Sequence, residues 1–178
     1  MSKERLPIKI SLMLPGHLDQ VSEIERQSYD EPWNSETVTR LMQREDTLGK
    51  VALHKQVVVG FLIYHLRPWV ISAGKIALTN IAVHPNFRHR GVGTALLDNL
   101  KNQLSAKKQV IEVITDSPKI LSCPFWQKTG FQTADGDATE IYKYHNEPRL
   151  PRGLLYLWKS AKDTASQDEP KAAAVTST

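Results

Sequence analysis

Cysteine is nearly absent from the sequence. Cys123 stands alone, so no disulfide can close within the chain and no cysteine cluster can hold a metal. The six histidines, His17, His54, His65, His84, His89 and His145, show no paired metal spacing, and no metal site is expected. Long apolar runs are missing too. Nothing could span a bilayer, and the opening Met1-Ser2-Lys3-Glu4-Arg5-Leu6-Pro7 lacks the apolar core of a secretion signal. A cytoplasmic protein without membrane contact is the expectation. Trp69 and Trp158 have no basic-aromatic interleaving around them, so they read as packing residues and direct nucleic-acid binding is not expected. No internal repeat is visible. The charge imbalance is small, a formal +4, which fits a phosphorylated ligand without requiring one.

What remains is an ordinary globular composition, 40% hydrophobic and 24% charged over 178 residues, enough for one domain with a proper core. Ile8, Ile10 and Leu12 alternate with polar residues as a first strand. Leu18, Val21, Ile24 and Ser28 keep helical spacing, with Glu25 and Gln27 on flanking faces, up to Glu31-Pro32. Asn34 or Ser35 can cap a second helix carrying Val38, Leu41 and Met42. Lys50 to Lys55, Val57 to Leu66 and Lys75 to Val83 read as strands, and Ala95, Leu96, Leu97, Leu100 and Leu104 make one face of a helix from Val92. Val110 to Thr115 is a β-rich run, Ile120 to Lys128 a short helix interrupted or started at Pro124, and Thr139 to Tyr144 a returning strand after the turn Asp135-Gly136-Asp137. This order gives an α/β fold with a mixed sheet. The expected domain is 6–146, followed by a linker and short C-terminal helix over 147–163 and a disordered tail over 164–178.

A strand running into Arg88-His89-Arg90-Gly91-Val92-Gly93 and then a helix suits a diphosphate. The helix start offers unpaired N–H groups and partial positive charge, Gly91 and Gly93 let the backbone approach, and Arg88 and Arg90 add charge. A plain glycine-containing connection with exposed arginines has the same spacing. The longer stretch Leu78-Thr-Asn-Ile-Ala-Val-His-Pro-Asn-Phe-Arg-His-Arg-Gly-Val-Gly-Thr-Ala-Leu-Leu97 closely resembles the acetyl-CoA-binding motif of GNAT N-acetyltransferases. That resemblance implies a mixed, mostly antiparallel sheet of about seven strands flanked by helices, with a splayed parallel pair forming the acetyl-CoA cleft. It further implies that backbone groups of Ile81, Ala82 and Val83 bind the acetyl and pantetheine portions. Amides of His89, Arg90, Gly91, Val92, Gly93 and Thr94 would bind the pyrophosphate.

Within the family, His17-Leu18, Ile24-Glu25, Tyr29-Asp-Glu-Pro-Trp33 and Asn80-Ile-Ala-Val83 are similar to RimI-type enzymes, which acetylate the amino terminus of a ribosomal protein. The acceptor implied is a primary amine, first a protein N-terminus, second a small amine or polyamine. A non-catalytic acetyl-CoA-binding module is a third reading. Glu112 is the one charge in an otherwise apolar strand, where an ionised carboxylate is costly unless paired or beside a water-filled cleft. It also matches the Leu-Glu-Val strand of RimI-type enzymes, so the expected role is general base. Trp126 stands where those enzymes carry the tyrosine that reprotonates the thiolate, and indole is no acid, which leaves water, Tyr142 or Tyr144 as donor. RimI-type enzymes also have a longer, tyrosine-bearing connection between the last two strands. Phe131 to Thr139 here leaves room only for a short turn.

Overall fold

The computed structural model describes residues 5–66, 75–103, 110–115, 124–134 and 154–159. In chain order these form β1 (Lys9–Leu12), α1 (Leu18–Arg26), α2 (Ser35–Met42), β2 (Thr47–His54), β3 (Val57–Leu66), β4 (Lys75–Val83), α3 (Val92–Asn102), β5 (Val110–Thr115), α4 (Pro124–Lys128), β6 (Gln132–Ala134) and β7 (Leu154–Lys159). The strands make one seven-stranded sheet in the order β1-β2-β3-β4-β5-β7-β6. Only β4 and β5 run parallel, as their connection through α3 permits. Every other neighbouring pair is antiparallel.

Local chemistry accounts for most boundaries. Lys55 and Gln56 both take positive φ, 49° and 67°, the two-residue turn that matches strand twist between β2 and β3. Asn34 caps α2, its side-chain oxygen accepting from the Thr37 N–H at 2.8 Å. Gly91, at φ 83°, turns the chain into α3 from a left-handed conformation that a side chain would resist. Helices cover both faces of the sheet. Under α3, Leu96, Leu97 and Leu100 pack on Leu62, Ile76 and Ile111, and Trp126 and Phe131 join the same core. Under α1 and α2, Val21, Ile24 and Val38 pack on Val51, Phe61 and Ile63.

Two expectations change. Leu154-Leu-Tyr-Leu-Trp-Lys159 is strand β7, not a helical turn, and the sheet therefore extends past residue 146. A short apolar run carries no usable periodicity, and β5 needs a partner on its far edge, which β7 supplies from Val110↔Lys159 to Thr115↔Leu154. The strand seen to pair with β6 is β7, and the short turn expected before Thr139 falls on residues outside those described. Glu25 does not flank the inner face of α1 but lies on it, 2% exposed. Spaced four residues after Val21, it falls within an apolar arc wider than one row. The expected strand at Thr139 to Tyr144 and the tail after residue 163 lie outside the described residues.

Candidate acyl-transfer site

The site begins where β4 leaves β5. The two strands are in register from Lys75↔Val110 to Leu78↔Val113, and no pairing follows up to Val83. Against β3, Ile63 pairs with Asn80 and Tyr64 with Leu78, so Thr79 is an extra residue bulged out of β4. A bulge adds local twist and bend to its strand. It sits at the point of parting, with the Thr79 hydroxyl fastened to the Ile63 carbonyl at 3.1 Å. The open end of β4 is Asn80 to Val83.

The carbonyls along that open end are already in use. The Tyr29 hydroxyl donates to Ile81 O at 2.9 Å, and Arg88 Nε donates to Val83 O at 2.9 Å. Arg88 also reaches the Ser28 hydroxyl at 3.1 Å, which ties the loop after β4 to the end of α1. Burial, then the nearby Glu25 carboxylate, pushes the Tyr29 phenol well above its ordinary range, so it stays a neutral donor.

From Val83 the chain passes a short turn at Pro85–Phe87, then Arg88, then His89 at φ 61°, and enters α3 at Gly91. The first hydrogen bond back into the helix is Ala95 N–H to Gly91 O at 3.0 Å, so the amides of Val92, Gly93 and Thr94 begin the helix with no intrahelical acceptor. A Cβ at Gly93 would stand 3.2 Å from the Phe125 ring, so α4 closes tightly against the first turn of α3, and a side chain there would need the ring to give way slightly. Arg90 keeps a buried Nε with no hydrogen-bond partner in the free protein. Beside it a cavity of about 330 Å³ is lined by Arg5, Leu6, Arg90, Gly91, Thr94 and Asp98. Unpaired amides, an unsatisfied guanidinium N–H and open space fit a phosphate-bearing ligand. Arg5, which lies against Gly91, is a cation near the loop that sequence spacing gave no means of finding.

Glu112 sits on β5 opposite Ala77, one pair before the strands part, and is 2% exposed. Ile111 and Val113 on either side of it face the core under α3, so the pleat turns Glu112 to the face of α1. On that same face lies a pair the sequence reading did not single out. Glu25, on α1, accepts from the Asn80 side-chain amide at 3.2 and 3.3 Å and from the Trp33 backbone N–H at 3.3 Å. Its partners are neutral, and burial pushes its pKa up to about 7, only partly offset by these hydrogen bonds. Trp126 lies 3% exposed in the core between Phe125 and Phe131, each ring in edge contact. Its position is a packing position. Tyr142 and Tyr144 lie outside the described residues. Among the described residues, no three His, Cys, Asp or Glu side chains converge as a metal site would require, and no helix is long and apolar enough to cross a membrane.

A parallel pair parted by a bulge, with a helix start and its arginines below the opening, defines an acyltransferase fold. The model of the Acetyltransferase (GNAT) family matches residues 18–131, and the chain belongs to that family. It is an acyltransferase with acetyl-CoA as donor. No curated protein matches its sequence. Among solved structures, it is similar to the ribosomal-protein-S18-alanine N-acetyltransferase of Escherichia coli at 20% identity, covering 86% of this chain and 94% of that one, with a TM-score of 0.66. The PaiA N-acetyltransferase of Thermoplasma acidophilum, in complex with coenzyme A, is similar at 17% identity, 87% and 100% coverage and a TM-score of 0.67. An aminoglycoside 6'-N-acetyltransferase complexed with coenzyme A follows at 17% identity, 85% and 96% coverage and a TM-score of 0.63. At these identities the likeness is one of fold.

Proposed function

We propose that the chain transfers acetyl from acetyl-CoA to a protein N-terminal amine, with Glu112 as general base and the segment Arg88 to Thr94 holding the cofactor phosphates. The observation that carries this reading is the position of Glu112, buried one pair before β4 and β5 part. Acetyl-CoA supplies an activated thioester. The protein's part is to bind it along Ile81 to Val83, keep water out, and take a proton from the attacking nitrogen. Amides at the start of α3, with Arg88 and Arg90, supply the positive field for the diphosphate. A protein N-terminus is preferred over a small amine on the likeness of Tyr29-Asp-Glu-Pro-Trp33 and Asn80-Ile-Ala-Val83 to RimI-type enzymes.

The test has two arms. Thiol release from acetyl-CoA is measured against N-terminal peptides and against small amines and polyamines, and preference for the small amines would reverse the acceptor. In parallel, acetyl-CoA at a hundredfold excess over its Kd should stabilise the protein by about 2.7 kcal/mol. Gly91→Asp should remove that shift, because it places a carboxylate against the phosphates. A ligand shift that survives in Gly91→Asp would show that the loop does not hold them.

A further inference from the structure

The Glu25–Asn80 pair has more acceptors than donors. Two carboxylate oxygens and the Asn80 carbonyl oxygen share only the Asn80 NH₂ group and the Trp33 N–H. In its ionised form Glu25 only accepts, and it then fixes the amide with its NH₂ turned toward it, since the reverse orientation would set oxygen against oxygen. Oδ1 is then left at the other end of the amide, buried and without a donor, on a side chain 6% exposed. An orphaned buried acceptor is unfavourable, and a ligand N–H that reaches it repays that penalty. Its place is telling. Asn80 is the first residue of β4 past the bulge, next to Ile81 and on the sheet face that Glu112 shares.

We infer that Asn80 is a positioning residue for the acceptor, its Oδ1 accepting the N–H of the attacking nitrogen while Glu25 locks the amide in orientation. The inference rests on the acetyl-transfer reading, and its ligand class is a primary amine. Oδ1 is closed to water in the free protein, so the open end of the strands parts further as the nitrogen enters. A nitrogen held there, on the face shared with Glu112, has one N–H spent on Asn80 and keeps another for the base.

Two coenzyme A conjugates test this without knowledge of the natural acceptor: the S-linked N-methylacetamide, which keeps the N–H, and the matching methyl ester, which replaces it with oxygen. Calorimetry on the wild type should show the amide bound more tightly than the ester by roughly tenfold, the effect of one buried hydrogen bond. Asn80→Ala should abolish the preference while leaving the affinity for coenzyme A itself unchanged, and Glu25→Gln should reduce it by freeing the amide to flip. Asn80→Ser serves if the alanine variant does not fold. Equal binding of the two conjugates by the wild type overturns the inference, as does a preference that survives in the Asn80 variant. A loss of affinity for coenzyme A itself in that variant does so too, because Asn80 would then serve the cofactor. In each case acetyl transfer stands. A wild type that binds neither coenzyme A nor either conjugate overturns both together.

Discussion

The two faces of the sheet are built for different work. Under α3 the core is a continuous apolar layer from Leu62 through Leu97 to Phe131. Under α1 and α2 the apolar layer is smaller, and among the described residues Glu25, Thr47, His65, Asn80 and Glu112 are the buried polar or charged side chains on that side, against Lys50 on the other. Burying a polar group is unfavourable unless it is hydrogen-bonded, so a face that concentrates such groups is a poor choice for stability alone. Thr47 illustrates the cost of satisfying them. Its hydroxyl donates its one proton to Asp46 at 3.0 Å and so accepts from His65 Nδ1 at 2.7 Å, which fixes the histidine tautomer. The α3 face is an apolar scaffold, and the α1 face holds the buried polar groups to which the proposed chemistry is assigned.

Removing one group from each face should separate stability from chemistry. Glu112→Gln keeps the shape and hydrogen-bonding capacity of the side chain but removes its basicity. It should lower kcat/KM by about 10²–10⁴-fold, roughly 3–5 kcal/mol in the barrier, with little change in acetyl-CoA affinity. Near wild-type kcat/KM at every pH, together with an earlier melt, would make Glu112 a structural carboxylate instead. Leu97→Ala on the opposite face should do the reverse. Its side chain is fully buried, and truncation should cost about 2–5 kcal/mol in urea unfolding while the folded fraction keeps its kcat.

The pH dependence of stability sharpens the contrast further. Burial raises the pKa of Glu25 from 4.5 to about 7, so the folded state holds the proton more tightly than the unfolded state. Its favourable contribution is full below pH 4.5, falls as pH rises between 4.5 and about 7, and stays lost above that, a swing on the order of 3 kcal/mol. Asp46 acts in the opposite sense, because its hydrogen bonds with Arg44 hold it near 2 and its contribution is lost only as pH falls below 4. The two windows do not overlap. In Glu25→Gln the decline in unfolding free energy from pH 5 to pH 8 should flatten, and an unchanged slope would show that Glu25 is ionised throughout.

How far the sequence foretold all this depended on whether a feature repeats locally. The unit from β4 through the turn to α3 was legible because Gly91, Gly93 and the leucine row of α3 follow one another within it. The turn at Lys55-Gln56 was legible because two β-rich runs flank it. What stayed hidden depended on pairing between distant segments. Leu154 to Lys159 is a strand because β5 has an edge to fill, and nothing within those six residues says so. The buried role of Glu25 depends on Asn80, which lies far along the chain on another element, and the placing of Glu112 depends on its register with Ala77. The bulge at Thr79, which opens the site, has no signature in its own side chain.

The smallest expected effect concerns α2, the helix that covers the polar face beside α1. Asn34 holds extended backbone at the cap and accepts from the Thr37 N–H, satisfying one of the amides that the first turn leaves unbonded. Asn34→Ala should cost about 1 kcal/mol of stability, read as a lower midpoint in urea at an unchanged slope, and Asn34→Ser should restore most of it because a serine oxygen can cap in the same way. The position follows Trp33, whose backbone N–H is bonded to Glu25, so a second reading is available from the same variant. If the cap only begins the helix, the KM for an amine acceptor should not move. A KM that rises in Asn34→Ala and recovers in Asn34→Ser would mean that the connection between α1 and α2 transmits the cap to the Glu25–Asn80 pair, and the polar face would then be a single unit from α2 to β4.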